Sequence, residues 1–173
     1  MFGAAEKAGV RVWGLLTLLI AESGLSPVAT RFGNRTNVAT LARAMGEWAR
    51  LQEIVDEVWP DISFGYSQQI VKYHWAGDGT GTVENVLTVM QAVFSDPEKD
   101  VAVAASRLAA CLAQAQMRGY ADEEGDILEA LYIYNWGHTP TKRERKTLTF
   151  IANREGYVAA LERAREVLTP PPS

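Results

Sequence analysis

A mainly α-helical fold is predicted by three features of the amino-acid sequence. Apolar residues recur at three- and four-residue steps over most of the chain, no stretch alternates apolar and polar residues in the manner of a strand, and glycine and proline fall between the periodic segments, where helices must stop. About eight helices with little or no β-sheet are expected, in one domain over residues 1–168, with a short proline-rich tail or linker stub at 169–173.

The elements follow in order. A first helix is expected from Ala4 to Ser23, stopped by Gly24 and by Pro27 shortly beyond, which places Glu22 in its last turn. A second covers Asn37 to Val58, with Leu41, Ala44, Met45, Trp48, Leu51, Ile54, Val55 and Val58 on one face and Pro60 as its end. A short apolar segment from Tyr66 to Trp75 precedes the glycine-rich turn Gly77-Asp78-Gly79-Thr80-Gly81. Helix resumes from Thr82 to Phe94. Ser95-Asp96-Pro97-Glu98 then supplies a capping serine, a proline near the first helical position and a glutamate three residues after the serine, opening a long helix to Met117. Gly119 separates it from a helix that begins at Asp122 or Glu123 and runs towards Tyr134. Two last helices are expected over Pro140 to Asn153 and Glu155 to Leu168.

Composition narrows the function classes. The chain has 173 residues, 47% hydrophobic and 22% charged, enough apolar content for a sizeable core. A formal charge of -4 gives no general attraction to nucleic acid or to an anionic membrane surface. One basic run, Lys142-Arg143-Glu144-Arg145-Lys146, departs from that balance, and its ordinary reading is a solvated helix face. The single cysteine, Cys111, allows no internal disulfide and reads as a small buried hydrophobe. With only His74 and His138 beside it and no close-spaced ligand pairs, neither a metal site nor a cofactor is expected. The apolar run from Trp13 to Ala21 is too short to cross a bilayer and is closed by Glu22 rather than by a small-residue cleavage site, so neither membrane insertion nor a signal peptide is expected.

Three segments carry the chemistry. They are Ala21-Glu22-Ser23-Gly24-Leu25-Ser26-Pro27-Val28-Ala29, Ser63-Phe64-Gly65-Tyr66-Ser67-Gln68-Gln69-Ile70, and Ala130-Leu131-Tyr132-Ile133-Tyr134-Asn135-Trp136-Gly137. Each alone has low specificity; the weight rests on their conjunction and order. Together they resemble the signature of lytic transglycosylases and goose-type lysozymes: a Glu-Ser motif, a Gly-Leu-Met-Gln segment lining the sugar cleft, and an Ala-Tyr-Asn-Ala-Gly segment facing the catalytic acid. The resemblance spans roughly Leu15 to Pro140 and implies a lysozyme-like fold that cleaves peptidoglycan glycan strands. It makes Glu22 the catalytic acid. It also implies substrate contacts for Gly65, Gln68, Tyr134 and Asn135, with Gly137 completing the third match and Ser23 orienting the Glu22 carboxyl.

Elementary chemistry supports Glu22 independently. A general acid in glycoside cleavage must hold its proton near neutral pH, whereas an ordinary glutamate does not. Leu15, Leu18, Leu19 and Ile20 make the helix end apolar, and the negative end of the helix dipole lies there, so both influences oppose ionisation. The alternative, a solvent-facing glutamate at a helix end, would leave a locally unfavourable charge unexplained. Gln68 and Asn135 offer uncharged amides suited to N-acetyl and hydroxyl groups, and Gly65 permits close backbone approach. Trp75, Trp136 and Tyr66 could stack on sugars, although aromatic residues at helical spacing are more often core; His138 reads as a surface histidine.

Several positions depart from the family pattern. Tyr66-Ser67 stands for Leu-Met, Trp136 stands for a small alanine, and residues 31–62 form a long helical insertion between the first two motifs. No carboxylate follows Gln68, where goose-type lysozymes place an aspartate; the next residues are Gln69, Ile70, Val71 and Lys72. Asp56 and Asp61 precede the segment and would serve a hydrolase using water, but their ordinary reading is a solvated helix end or a turn cap. The expected reaction is therefore that of a transglycosylase, with one carboxyl group protonating the glycosidic oxygen and then taking a proton from the sugar's own 6-hydroxyl to give a 1,6-anhydro-muramyl end. Most glycosidases instead need a second carboxylate. By analogy, the insertion resembles those of phage lysins and tail-associated murein-degrading domains, which makes phage tail or other virion proteins the expected partners and leaves a phage particle, a holin-opened membrane or a larger parent polypeptide as the route to the cell wall. A non-catalytic structural or glycan-binding domain is the rival from another class.

Overall fold

The computed structural model describes residues 1–27, 29–31, 62–70, 82–117 and 123–169. The expected helix at 37–58, Asp56, Asp61, Trp75, the glycine-rich turn at 77–81, Gly119 and the tail from residue 170 lie outside these residues. Six α-helices stand among the described residues: α1 (Phe2–Ala8), α2 (Val12–Ser23), α3 (Val83–Ser95), α4 (Pro97–Gln116), α5 (Glu123–Trp136) and α6 (Leu148–Leu168). A 3-10 turn covers Glu144–Lys146, and three two-residue strands, β1 (Thr30–Arg31), β2 (Ser63–Phe64) and β3 (Gln69–Ile70), form one small antiparallel sheet in that order. The protein is mainly α.

Three expected elements are corrected. The first helix is not continuous: Gly9 adopts φ +69°, and the N–H groups of Gly9 and Val10 donate to the Glu6 and Ala5 carbonyls at 3.0 Å each, a Schellman ending that closes α1 before α2 begins. The cap of α4 is Asp96, whose Oδ1 accepts from the Lys99 N–H at 2.9 Å, while Ser95 belongs to α3 and donates to the Ala92 carbonyl. The two expected final helices are one: α6 starts only at Leu148, where the Thr147 hydroxyl accepts from the Phe150 N–H at 3.2 Å, and it passes through Gly156 without a break. The basic run thus lies in a turn and a 3-10 segment rather than on a helix, and Arg145 is held there by Glu129 at 2.5 Å.

The chain groups into two compact units, Met1–Glu22 with Val101–Ser173, and Ser23–Asp100, with the divisions falling inside α2 and α4. In the first unit, α2 and α5 are each buried on more than one face: Gly14 through Leu19 and then Glu22 in α2, Ile127 and Glu129 through Tyr134 in α5. Each fully buried leucine such as Leu15 or Leu18 contributes about 1.5–3 kcal/mol relative to exposure. A Cβ on Gly14 would lie 2.5 Å from the Ile127 Cδ1, so α2 and α5 approach closely because residue 14 has no side chain. Tyr132 ties α5 to α6, stacking on Phe150 at 4.1 Å and meeting Tyr157 edge-on at 5.2 Å. Its hydroxyl donates to the Phe150 carbonyl, and burial pushes its pKa up to about 12.

In the second unit, Ile62 and Phe64 pack against Val83, Val86, Val89 and Val93, which recur at helical spacing along the inner face of α3. Phe64 meets Phe94 edge-on at 5.7 Å. Thr82 caps α3 by accepting from the Asn85 N–H. This core carries the β2–β3 hairpin, whose register pairs Ser63 with Ile70 and Phe64 with Gln69.

Candidate functional site

Glu22 occupies the penultimate position of α2 and is only 7% exposed, although the last turn of that helix holds no basic residue. Two left-handed residues follow Ser23: Gly24 at φ +61° and Leu25 at φ +66°, with the Ser26 N–H donating to the Ser23 carbonyl. The helix therefore stops abruptly just beyond the glutamate. Carboxylates at helix C-termini are disfavoured by the dipole and normally turn to water; this one is buried. Ser23 itself is half-buried.

Gly65 and Gln68 bound the four-residue turn between β2 and β3. Gly65 has φ +81°, and a Cβ there would meet the Asp100 carboxylate and lie 2.6 Å from the Val93 Cγ1, so only glycine fits both the backbone and the space. Gln68 is 5% exposed with φ +49°, a left-handed geometry uncommon outside glycine and asparagine. Its side chain explains how that geometry persists. Nε2 donates to the carbonyls of Gly65 at 2.9 Å and Ala29 at 3.3 Å, and Oε1 accepts from the Ser63 hydroxyl at 2.9 Å. Both amide N–H donors are thus used within the protein, which makes Gln68 the pin of the turn in this conformation.

Tyr134 and Asn135 lie near the end of α5, which Gly137 terminates at φ +73° with its N–H on the Ile133 carbonyl at 2.8 Å. Tyr134 is 7% exposed, and the Arg107 guanidinium of α4 covers its ring at 4.4 Å. Asn135 is exposed, and its Nδ2 donates to the Tyr157 hydroxyl at 2.9 Å. Glu22 and Tyr134 lie eight and seven residues beyond the close approach of Gly14 to Ile127, each about 11–12 Å along its helix from that point.

Of the remaining candidates, Tyr66 and Trp136 are half-buried, and Trp136 makes edge contacts with Phe150 and His138. His138 is exposed and bonded to Glu144 and to the Trp136 carbonyl. Cys111 is half-buried, and burial pushes its thiol pKa up while Arg107 pulls in the other direction. Among the described residues no group of three His, Cys, Asp or Glu side chains stands close enough to hold a metal ion, and no helix is long and apolar enough to cross a membrane.

Two hollows lie elsewhere in the first unit. One of about 630 Å³ is lined by Trp13, Glu123, Glu124, Arg165, Leu168 and Thr169, and its carboxylates face arginines: Arg165 pairs with Glu124 and Arg11 with Glu123. The other, about 450 Å³, lies along α6 beside Phe150 and Ile151. Neither is lined by a candidate residue.

Two residues at these places escape sequence reasoning. Asp100, in the first turn of α4, is 2% exposed and accepts hydrogen bonds from both the hydroxyl and the N–H of Ser67, a contact that no sequence motif marks. Nothing in the spacing of Arg107 along α4 announces its contact with Tyr134. No protein-family model, curated protein or solved structure matches the chain.

Proposed function

We propose that the chain is a peptidoglycan lytic transglycosylase that cleaves the MurNAc-GlcNAc β-1,4 bond, with Glu22 as its acid and then its base. The observation that carries this reading is the burial of Glu22 in the last turn of α2, just before the left-handed stop at Gly24 and Leu25, which holds a carboxyl group out of bulk water at the position that the resemblance gives to the catalytic acid. The reading also rests on the resemblance of the three sequence segments and on their order along the chain. Glu22 protonates the glycosidic oxygen as that bond breaks, and its carboxylate then removes the proton of the muramyl 6-hydroxyl, whose oxygen closes on the anomeric carbon. The carboxyl group ends as it began, and the product is a 1,6-anhydro end. No second carboxylate is needed, unlike the two-carboxylate glycosidases. Access to the wall, in this reading, comes through a phage particle or an opened membrane.

A non-catalytic, structural or glycan-binding role is favoured by one observation, the internal use of both Gln68 amide donors. Clearing of a purified peptidoglycan suspension separates the two. The transglycosylase reading expects the unmodified chain to clear it and Glu22→Gln to lose about 100-fold or more in rate, the contribution of a general acid. Equal clearing by both proteins removes Glu22 from the chemistry, and no clearing by either leaves the non-catalytic role.

A further inference from the structure

The GYSQ turn is held from behind by a residue distant in sequence. Asp100 projects from the first turn of α4 and is 2% exposed. Its Oδ1 accepts from the Ser67 hydroxyl and its Oδ2 from the Ser67 N–H at 3.3 Å, so the carboxylate grips the central residue of the turn by side chain and backbone together. Gly65 faces the same carboxylate, with no room between them for a Cβ. On the opposite flank, the Gly65 N–H donates to the Ala29 carbonyl at 2.9 Å, and Gln68 bonds Ser63, Gly65 and Ala29. The turn thus holds a non-glycine residue, Gln68, in a left-handed conformation, a geometry that persists only where its surroundings over-determine it.

We propose that Asp100 is a positioning residue for glycan binding, acting through Ser67 to hold the backbone of the Gly65–Gln68 turn in the shape that a saccharide meets. It touches no substrate. The proposal rests on the peptidoglycan reading for what the turn binds, and on the hydrogen bonds alone for how the turn is held. A carboxamide can satisfy the same two groups on Ser67, its oxygen accepting from the N–H and its NH₂ donating to the hydroxyl oxygen, so shape rather than charge is what the turn requires.

The test compares Asp100→Ala, Asp100→Asn and Ser67→Ala in the full chain, using soluble uncross-linked glycan strands as substrate and following amide hydrogen exchange at Ser67. Asp100→Ala is expected to raise KM about tenfold with kcat within about twofold, the pattern of lost binding rather than lost chemistry, and to speed Ser67 exchange by about tenfold or more. Asp100→Asn is expected to restore both, and Ser67→Ala to raise KM by a smaller factor because its backbone bond remains. A purely structural role would lower the melting temperature of Asp100→Ala and leave KM unchanged, which overturns the proposal; so does an Asp100→Asn variant as impaired as Asp100→Ala. If Asp100→Ala does not fold, Ser67→Ala decides by the same KM criterion. If the unmodified chain turns over no glycan, the peptidoglycan reading fails by itself. Binding of N-acetylglucosamine oligomers then replaces KM: weaker binding by Asp100→Ala supports the proposal, and unchanged or absent binding overturns it.

Discussion

Replacing Gly65 with alanine probes the turn where backbone and packing constraints coincide. The residue sits at φ +81°, and an L side chain in the left-handed region costs about 1–2 kcal/mol. The new methyl group would also lie 2.6 Å from the Val93 Cγ1, against the carboxylate of Asp100 and 3.0 Å from its Cγ. Val93 and Asp100 are both buried and packed on their other sides, so relief requires the turn to move, and overpacking of this kind costs about 1–3 kcal/mol. The smaller entropy of the unfolded alanine chain returns about 0.4–1 kcal/mol. The net expectation is a loss of about 1–4.5 kcal/mol, which for a chain of 173 residues lowers the melting temperature by about 2–18 °C. Urea unfolding followed by both tryptophan fluorescence and far-ultraviolet circular dichroism measures it, with two probes because the chain groups into two compact units. A change smaller than about 0.5 kcal/mol would refute the reasoning, because it would mean that Gly65 is neither left-handed nor enclosed.

Other positions give independent expectations. Gly156 lies within α6 with nothing within 4 Å of a Cβ, so Gly156→Ala should stabilise by about 0.5–1 kcal/mol, read as a rise in melting temperature of a few degrees. Thr147→Ala removes the cap of α6 and should cost about 1 kcal/mol by urea unfolding, with Thr147→Ser recovering most of it. Arg145→Met leaves Glu129, 3% exposed, without its cation; a fully buried pair broken this way costs about 3–5 kcal/mol, and the partial exposure of Arg145 reduces the expectation to about 2–3 kcal/mol. Arg145→Met, Glu129→Gln should recover part of that loss.

The clasp between His138 and Glu144 predicts a pH dependence. The hydrogen bond to Glu144, aided by the Trp136 carbonyl, raises the His138 pKa above its usual 6.5, and the Thr141 N–H and hydroxyl, with His138, lower that of Glu144 to about 2. A raised histidine favours the folded state fully below its unfolded value and loses that contribution as pH climbs through the folded value. A lowered carboxylate contributes above its unfolded value of 4.5 and loses it as pH falls towards 2. The difference in melting temperature between the unmodified chain and His138→Gln should be present at pH 5.5 and absent at pH 8.5; a difference that grows towards alkaline pH would contradict the clasp.

Much of the helical framework is legible in the sequence because its punctuation is local. Thr82, Pro97, Gly24 and Gly137 act on their own turns, and α3, α4 and α5 stand close to where periodicity places them. The departures arise where two local signals compete. Gly9 ends a helix that apolar spacing alone would continue, Asp96 outcompetes Ser95 as a cap, and the bonds among His138, Thr141 and Glu144 hold the chain out of helix until Thr147. The small sheet is invisible to periodicity because its strands are two residues long. At the candidate site, the three motifs name residues but not their partners. The contact of Asp100 with Ser67 spans 33 residues and that of Arg107 with Tyr134 spans 27, and tertiary packing alone creates them. Gln68 shows the converse: its amide suggests a ligand in the sequence, whereas in the fold it binds the backbone of its own turn.

Mass spectrometry of the muropeptides released from purified peptidoglycan tests the central claim most directly. With Glu22 as sole acid and base, the fragments must carry 1,6-anhydro-muramyl ends, and Glu22→Gln must abolish them. Fragments with reducing ends would show that water is the acceptor and that a second carboxylate takes part; unchanged release by Glu22→Gln would show that the proton comes from elsewhere.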